Sequence, residues 1–327
     1  MADIAASVLT RLKNKAKETG RSYQLCMQLF CQEEFLRRLQ NSKYADNLVL
    51  KGGLFIYSIT DFDSRVTVDV DFLLRKLPNT PEQLRAILEE IIAIDTGNNF
   101  ITFEIKSVSP ISVAKKYAGI SASIVAHIKN TRTPFSIDFG VGDVIVPNQE
   151  KRSIPTQLKD FPSPIINTYS LETTIAEKID AILDLMEFSS RMKDYYDIYY
   201  LANKFDFNGK TLTESLKRTF ENRGHSFTIE QFDRITAFAD DEEMQKKTSV
   251  YKGYKQDKIE MRGDRAEMSE FPLYLNTVAG GLDRRDQTIG GFSFVVKIYA
   301  VPVVEIIGQL LYLLGRYGFN AQFGDCL

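Results

Sequence analysis

Near the N-terminus the apolar positions recur at three- and four-residue intervals. Ile4, Val8, Leu9 and Leu12 make one stripe, and Tyr23, Cys26, Met27 and Phe30 begin a second that runs on through Phe35, Leu36 and Leu39. That spacing puts them on single helical faces, so two amphipathic helices with a structural role are predicted to open the chain. From Leu48 the period changes. Leu48-Val49-Leu50 is a short apolar segment ending in Lys51-Gly52-Gly53, and a helix-like run follows from Leu54 to Ile59. Val66, Val68, Val70, Phe72 and Leu74 then alternate with Thr67, Asp69, Asp71 and Leu73, which predicts a strand with both aspartates on one face. A helix is predicted from Pro81 to Ile94, with Leu84, Leu88, Ile91 and Ile92 inward, and further strands at Ile101 to Val108, Ser121 to Ile128 and Pro134 to Phe139. Strands interleaved with helices imply an α/β-type mixed sheet.

Pro147, Pro155, Pro162 and Pro164 punctuate the next stretch, which reads as a linker. Helical spacing then returns. Ile175, Ile179, Ile182, Leu183 and Met186 form a stripe behind Ser170, a residue suited to an N-cap, and a second helix is predicted from about Arg191 to Ala202. Amphipathic pieces continue to about Lys247. The expected organisation is α+β: residues 1–150 hold the N-terminal helices and the sheet domain, and residues 165–327 a mainly helical C-terminal domain.

Composition narrows the function classes. With 327 residues, 44% hydrophobic and 26% charged, the chain has the make-up of a folded protein with room for two domains. A net charge of −2 and a pI near 5.9 argue against attachment to nucleic acid by global charge and leave only a local basic patch. Cys26, Cys31 and Cys326 make neither a disulfide framework nor a zinc spacing, which fits a reducing cytoplasm. The start, Met1-Ala2-Asp3-Ile4, lacks the pattern of a secretory signal. The apolar stretch Phe292 to Leu314 is interrupted by Lys297, Pro302 and Glu305, so it reads as buried protein and not as a membrane span.

Asp69-Val70-Asp71 is the sharpest chemical feature. Alternate strand residues set two carboxylates side by side, and two such anions repel unless a cation lies between them. An Asp-x-Asp alone is more often a solvated strand face. Here it follows a glycine pair that can bring backbone amides close to phosphate. Phe135, Ile137 and Phe139 face one way, so Ser136 and Asp138 face the other, offering a third carboxylate; the competing reading of Asp138 is a turn residue before Gly140-Val141-Gly142-Asp143. Three such carboxylates suit two-metal phosphoryl chemistry, with metals ~4 Å apart. Arg65 and Thr67 share the alternation, Arg65 as a phosphate ligand or as a surface strand arginine. Asp197 reads as the i,i+4 partner of Lys193. His127 and His225 lie in no ligand pattern, and Tyr195, Tyr196, Tyr199 and Tyr200 either stack on a base or pack between helices, the second being the plainer reading.

The ordered blocks carry a resemblance. Leu50-Lys51-Gly52-Gly53 and Arg65-Val66-Thr67-Val68-Asp69-Val70-Asp71-Phe72, then Phe135 to Gly140 with Gly142-Asp143 and Pro147, then Ala176-Glu177-Lys178, then Arg191-Met192-Lys193-Asp194-Tyr195-Tyr196-Asp197 resemble the AbiEii/AbiGii toxin family of nucleotidyltransferases, distantly similar to DNA polymerase beta. The resemblance spans about Leu50 to Ala202 and fades after about Lys247. It implies an N-terminal nucleotidyltransferase fold with a helical C-terminal domain. It also implies a toxin of a type IV-like toxin-antitoxin, abortive-infection system. On the site it implies metal binding (Mg2+ or Mn2+) by Asp69, Asp71 and Asp138, and triphosphate or active-site contacts from Lys178 and Asp194, the catalytic candidates; the residue pattern itself adds Gly52, Gly53, Arg65 and Thr67 as nucleotide-binding candidates. The implied substrates are a nucleoside triphosphate and an acceptor hydroxyl at the 3′ end of transfer RNA; the basic residues near the predicted cleft, Lys115, Lys116, Arg132, Arg191 and Lys193, are the candidates to hold that RNA. The implied partner is a cognate antitoxin. Transfer to a protein or small molecule, or an inactive fold that binds a partner, are the alternatives.

Overall fold

The computed structural model describes residues 3–111, 119–186, 191–228 and 231. Helix α1 (Ile4–Thr19) starts where the Asp3 carboxylate accepts from the Ala6 amide at 3.0 Å and stops at Gly20, whose left-handed backbone ends the last turn. Helix α2 (Tyr23–Gln40) is capped by Ser22 and is buried on every side from Leu25 to Leu39. It is therefore a central helix, where the sequence predicted an amphipathic one. Its charged residues are buried because they are paired: Glu34 accepts from Arg37 at 2.9 Å, Arg38 at 3.1 Å and Asn98 at 2.7 Å.

Seven strands form one mixed sheet in the order β3-β4-β5-β2-β1-β7-β6. They are β1 (Leu48–Lys51), β2 (Val70–Leu74), β3 (Ile101–Pro110), β4 (Ile120–Ile128), β5 (Thr131–Val141), β6 (Glu150–Ser153) and β7 (Ile165–Thr168). β2 runs parallel to β5, and β1 parallel to β7. The apolar sides of β4 and β5, Ile120, Ala122, Ile124, Ala126, Phe135, Ile137 and Phe139, are buried, and α2 packs against β5 and β7. The opposite side carries Ser121, Ser123, Ser136 and Asp138, all partly exposed. Helix α3 (Gly52–Ile59) leaves β1 directly and packs on β1 and β2, while α4 (Pro81–Ile92), with Thr80 as N-cap and Pro81 in its first turn, packs on β3.

Two differences from the sequence reading have physical causes. The strand expected over Val66 to Leu74 begins only at Val70. Before it the chain is held by side chains and not by a ladder: Gln28 and Gln32 of α2 both donate to the Val68 carbonyl, at 2.6 and 2.8 Å. Val68 is 46% exposed, and Thr67 is buried instead, so the alternation inverts. The proline-rich stretch read as a linker holds β6 and β7, and β7 lies beside β1 with Leu50 opposite Thr168.

Helix α5 (Leu171–Leu185) is capped by Ser170, whose hydroxyl accepts from the Thr173 amide at 3.1 Å. Helices α6 (Met192–Lys204) and α7 (Gly209–Arg223) both pack on α5. Lys115, Lys116, Cys326, the Phe292 to Leu314 stretch and the pieces around Lys247 lie outside the described residues. Among the described residues no helix is long and apolar enough to cross a membrane.

Candidate active site

A row of polar side chains crosses the sheet. Register places Lys51 opposite Asp71, Asp71 beside Asp138, and Asp138 opposite Ser121. Adjacent strands are ~4.8 Å apart, so the two carboxylates are immediate neighbours. Ser121 donates its hydroxyl to Asp138 Oδ1 at 2.6 Å. Burial raises the Asp71 carboxyl above its usual range; Asp138 and Asp69 push it further, while Lys51 and Lys193 oppose them. Asp69 thus acts on Asp71 electrostatically, although it lies exposed on the segment before β2. Among the described residues no three His, Cys, Asp or Glu side chains are placed to hold a metal ion as they stand. The donor set is a carboxylate pair in register with a third, exposed carboxylate on the segment before it, and their mutual repulsion is what a divalent cation relieves.

The glycine pair fits under these acids. Gly52 has φ +69°, and a Cβ there would fall 2.1 Å from Asp71 Oδ2; a Cβ on Gly53 would fall 2.6 Å from Thr67 Oγ1. Any side chain at either position displaces an acid or a hydroxyl of the site. The first turn of α3 has no side-chain cap, so its free amides lie beside Asp71 and Thr67.

A second cluster joins α5 and α6 to the segment before β2. Lys178 donates to Asp194 and Asp197, both at 2.8 Å, and Arg65 grips Asp197 with two bonds of 2.6 and 2.7 Å. Arg191 pairs with Asp194 at 2.5 Å. Burial would depress the Lys178 ammonium, but Asp197 and Asp194 reverse that and raise it; Asp194 is pushed up by burial and brought below its usual range by Lys178 and Arg191. The expected Lys178–Asp194 pairing is present. Asp197 differs from expectation: it binds Arg65 and Lys178, partners distant in sequence, because it is 1% exposed and such a site needs close countercharges. Arg65 is neither a surface residue nor open to a ligand through the face that Asp197 occupies.

Residues 34–275 match the family model described as "Nucleotidyl transferase AbiEii toxin, Type IV TA system". The chain belongs to the AbiEii family. It is accordingly a nucleotidyltransferase of the toxin–antitoxin kind, and the match reaches past Lys247, where the resemblance read from sequence had ended. Among solved structures it is similar to MenT4, a nucleotidyltransferase toxin from Mycobacterium tuberculosis H37Rv, at 15% identity, covering 70% of this chain and 76% of that one, TM-score 0.48. It is also similar to JHP933 from Helicobacter pylori, at 13% identity, 92% and 97% coverage and TM-score 0.45. Likenesses this loose leave the assignment resting on the family match. No curated protein matches significantly.

In this AbiEii chain a third cluster carries residues to which sequence reasoning gave no role. The Lys51 ammonium donates to Asp143 at 2.6 Å, Tyr169 at 3.3 Å and Glu177 at 3.3 Å. Arg223 of α7 binds Asp143 at 3.0 Å and Asp180 at 2.9 Å. Burial pushes the Asp143 carboxyl up, yet Lys51 and Arg223 together hold it well below the usual carboxylate range. Lys51, Asp143 and Glu177 all stand inside the quoted motif blocks, so their position was a usable signal; Arg223 had none. Of the remaining candidates, His127 lies on the polar side of β4 near Glu104 at 3.3 Å, His225 binds Asp180 at 2.8 Å, and Tyr196 stacks on Tyr200, which donates to Asp63 at 3.1 Å.

Proposed function

We propose that this AbiEii-family toxin transfers nucleotides from a nucleoside triphosphate to the 3′ end of transfer RNA in the cytoplasm, restraining growth until a cognate antitoxin neutralises it. The observation that carries the reading is the register of Asp71 with Asp138, with Asp69 adding its charge to theirs. Asp71 and Asp138 would hold a divalent cation, Mg2+ or Mn2+, with Asp69 completing the set. Such a cation supplies charge neutralisation of the phosphates and a lowered pKa at the attacking oxygen.

The protein's own groups account for the rest. The acceptor oxygen forms a bond to the α-phosphorus as the α–β bridging bond breaks, and pyrophosphate leaves with the electron pair. Asp138, which is accessible and held by Ser121, takes the hydroxyl proton. The Lys178 ammonium has three donors; Asp194 and Asp197 take two, and the third is the one for a triphosphate oxygen. Asp194 orients Lys178. The amides at Gly52 and Gly53, with Thr67, meet phosphate at the start of α3, and Arg65 acts by fixing Asp197.

The test is incubation with labelled triphosphates and total RNA, comparing wild type with the Asp69→Ala, Asp71→Ala double variant. Label on RNA with wild type and none with the variant supports the proposal. Label on protein or a small molecule alone, or growth inhibition undiminished in the variant, overturns it.

A further inference from the structure

On the β4 side of the acid pair, opposite the glycine pair in strand order, lies a cavity of about 260 Å³ lined by Gln28, Asp69, Ser123, Pro134, Phe135 and Ser136. We propose that this cavity receives the terminal ribose of the acceptor RNA, a deepening of the transfer reading on which it rests.

Several features of the lining agree on this occupant. Its described lining residues include no lysine or arginine, which favours an uncharged sugar over a triphosphate; the cations that act on Asp71, Lys51 and Lys193, sit on β1 and α6. Its size lies below the roughly 300–1,000 Å³ of pockets that enclose drug-sized ligands, which suits one sugar unit. Hydroxyls of Ser123 and Ser136, cross-strand partners on one face, both donate and accept. A ribose end presents the 2′- and 3′-hydroxyls with the same dual character, and the 2′-hydroxyl is how proteins separate RNA from DNA. Pro134, exposed and on the same side of β5 as Ser136, and the exposed Val68 offer the apolar surface against which the sugar's carbon face rests. Asp69 lines the cavity and also acts on Asp71, so a hydroxyl seated here adjoins the acids. Gln28 donates its amide to the Val68 carbonyl at 2.6 Å, which fixes the wall that carries Asp69. The cavity is therefore assembled by the same bonds that hold the acidic segment.

The experiment measures binding of 5′-fluorescein-labelled, deacylated transfer RNA by anisotropy to the full chain and to S123L, S136L and the conservative S136T. Binding of ribonucleoside triphosphates is measured calorimetrically on the same proteins. We expect each leucine variant to weaken RNA binding at least tenfold, S136T to restore it to within about threefold, and triphosphate affinity to stay within about twofold. A terminal 2′-deoxy RNA should bind wild type as weakly as intact RNA binds S136L. RNA affinity unchanged in both leucine variants overturns the assignment, as does an equal loss of triphosphate binding. Wild type that binds no RNA while still binding triphosphate overturns the transfer reading itself, and this assignment with it.

Discussion

Gly52 shows how little freedom a single position here retains. Its left-handed backbone and the 2.1 Å approach of Asp71 to a Cβ oppose substitution independently. Gly52→Ala is expected to cost about 1–3 kcal/mol in backbone strain and to lower transfer at least tenfold by moving Asp71; urea denaturation and initial rates on one preparation measure both. Asp138→Asn keeps the shape of the side chain and the bond from Ser121 while removing the proton acceptor, so the rate should fall about 10²–10⁴-fold with unchanged thermal stability, read in single-turnover transfer. The acids were legible in the sequence because alternation along a strand is a local property: Asp71 and Asp138 each declared a face through their apolar neighbours. The pairing within the Lys51 cluster was not, although three of its residues stand in the motif blocks, since Asp143 is 92 residues from Lys51 and Arg223 reaches Asp143 across 80. No periodicity spans such a distance.

At the level of elements, the two-bonded contact of Arg65 with Asp197 is what ties the segment carrying the acids to α6. Asp197 is 1% exposed, and removing it takes the two-bonded partner from Arg65 and one of two carboxylates from Lys178, both largely buried. Asp197→Ala should therefore destabilise the protein by about 3–5 kcal/mol, measured by denaturant titration. Arg65→Lys should recover little of an Arg65→Ala loss, because an ammonium cannot reproduce the paired donors of a guanidinium. Helices α4 and α5 and strands β3 to β5 were legible to within a few residues, their caps and alternation being local. The failures came where another element overrode local preference. Val68 took the exposed side because Gln28 and Gln32 claim its carbonyl, and β7 lay unseen among prolines because its signal is pairing with β1.

For the molecule as a whole, α2 is the helix buried on every side, and one of its acids makes stability depend on pH. Burial pushes the Glu33 carboxyl up to about 8 from an ordinary 4.5, Arg37 and the Gln157 amide opposing. Between those values the folded chain holds a proton that the unfolded chain has released, so stability falls as pH rises through the window and is fullest below 4.5. Glu33→Gln keeps an oxygen for the Gln157 amide, now 3.0 Å away, and removes the titration. Urea midpoints should then change less with pH than those of wild type across that range; an unchanged slope would show that Glu33 is ionised in the fold.

Helix α5 sets a last constraint. Glu177 and Lys178 are consecutive, yet one reaches the Lys51 cluster and the other the Asp194 and Asp197 carboxylates. Each residue of a helix turns the chain by about 100°, so a single alanine inserted between them would swing the ammonium off its acceptors while leaving the glutamate in place. The reading frame of this one turn is thus keyed like a lock on two sides, and length changes can be absorbed only outside it.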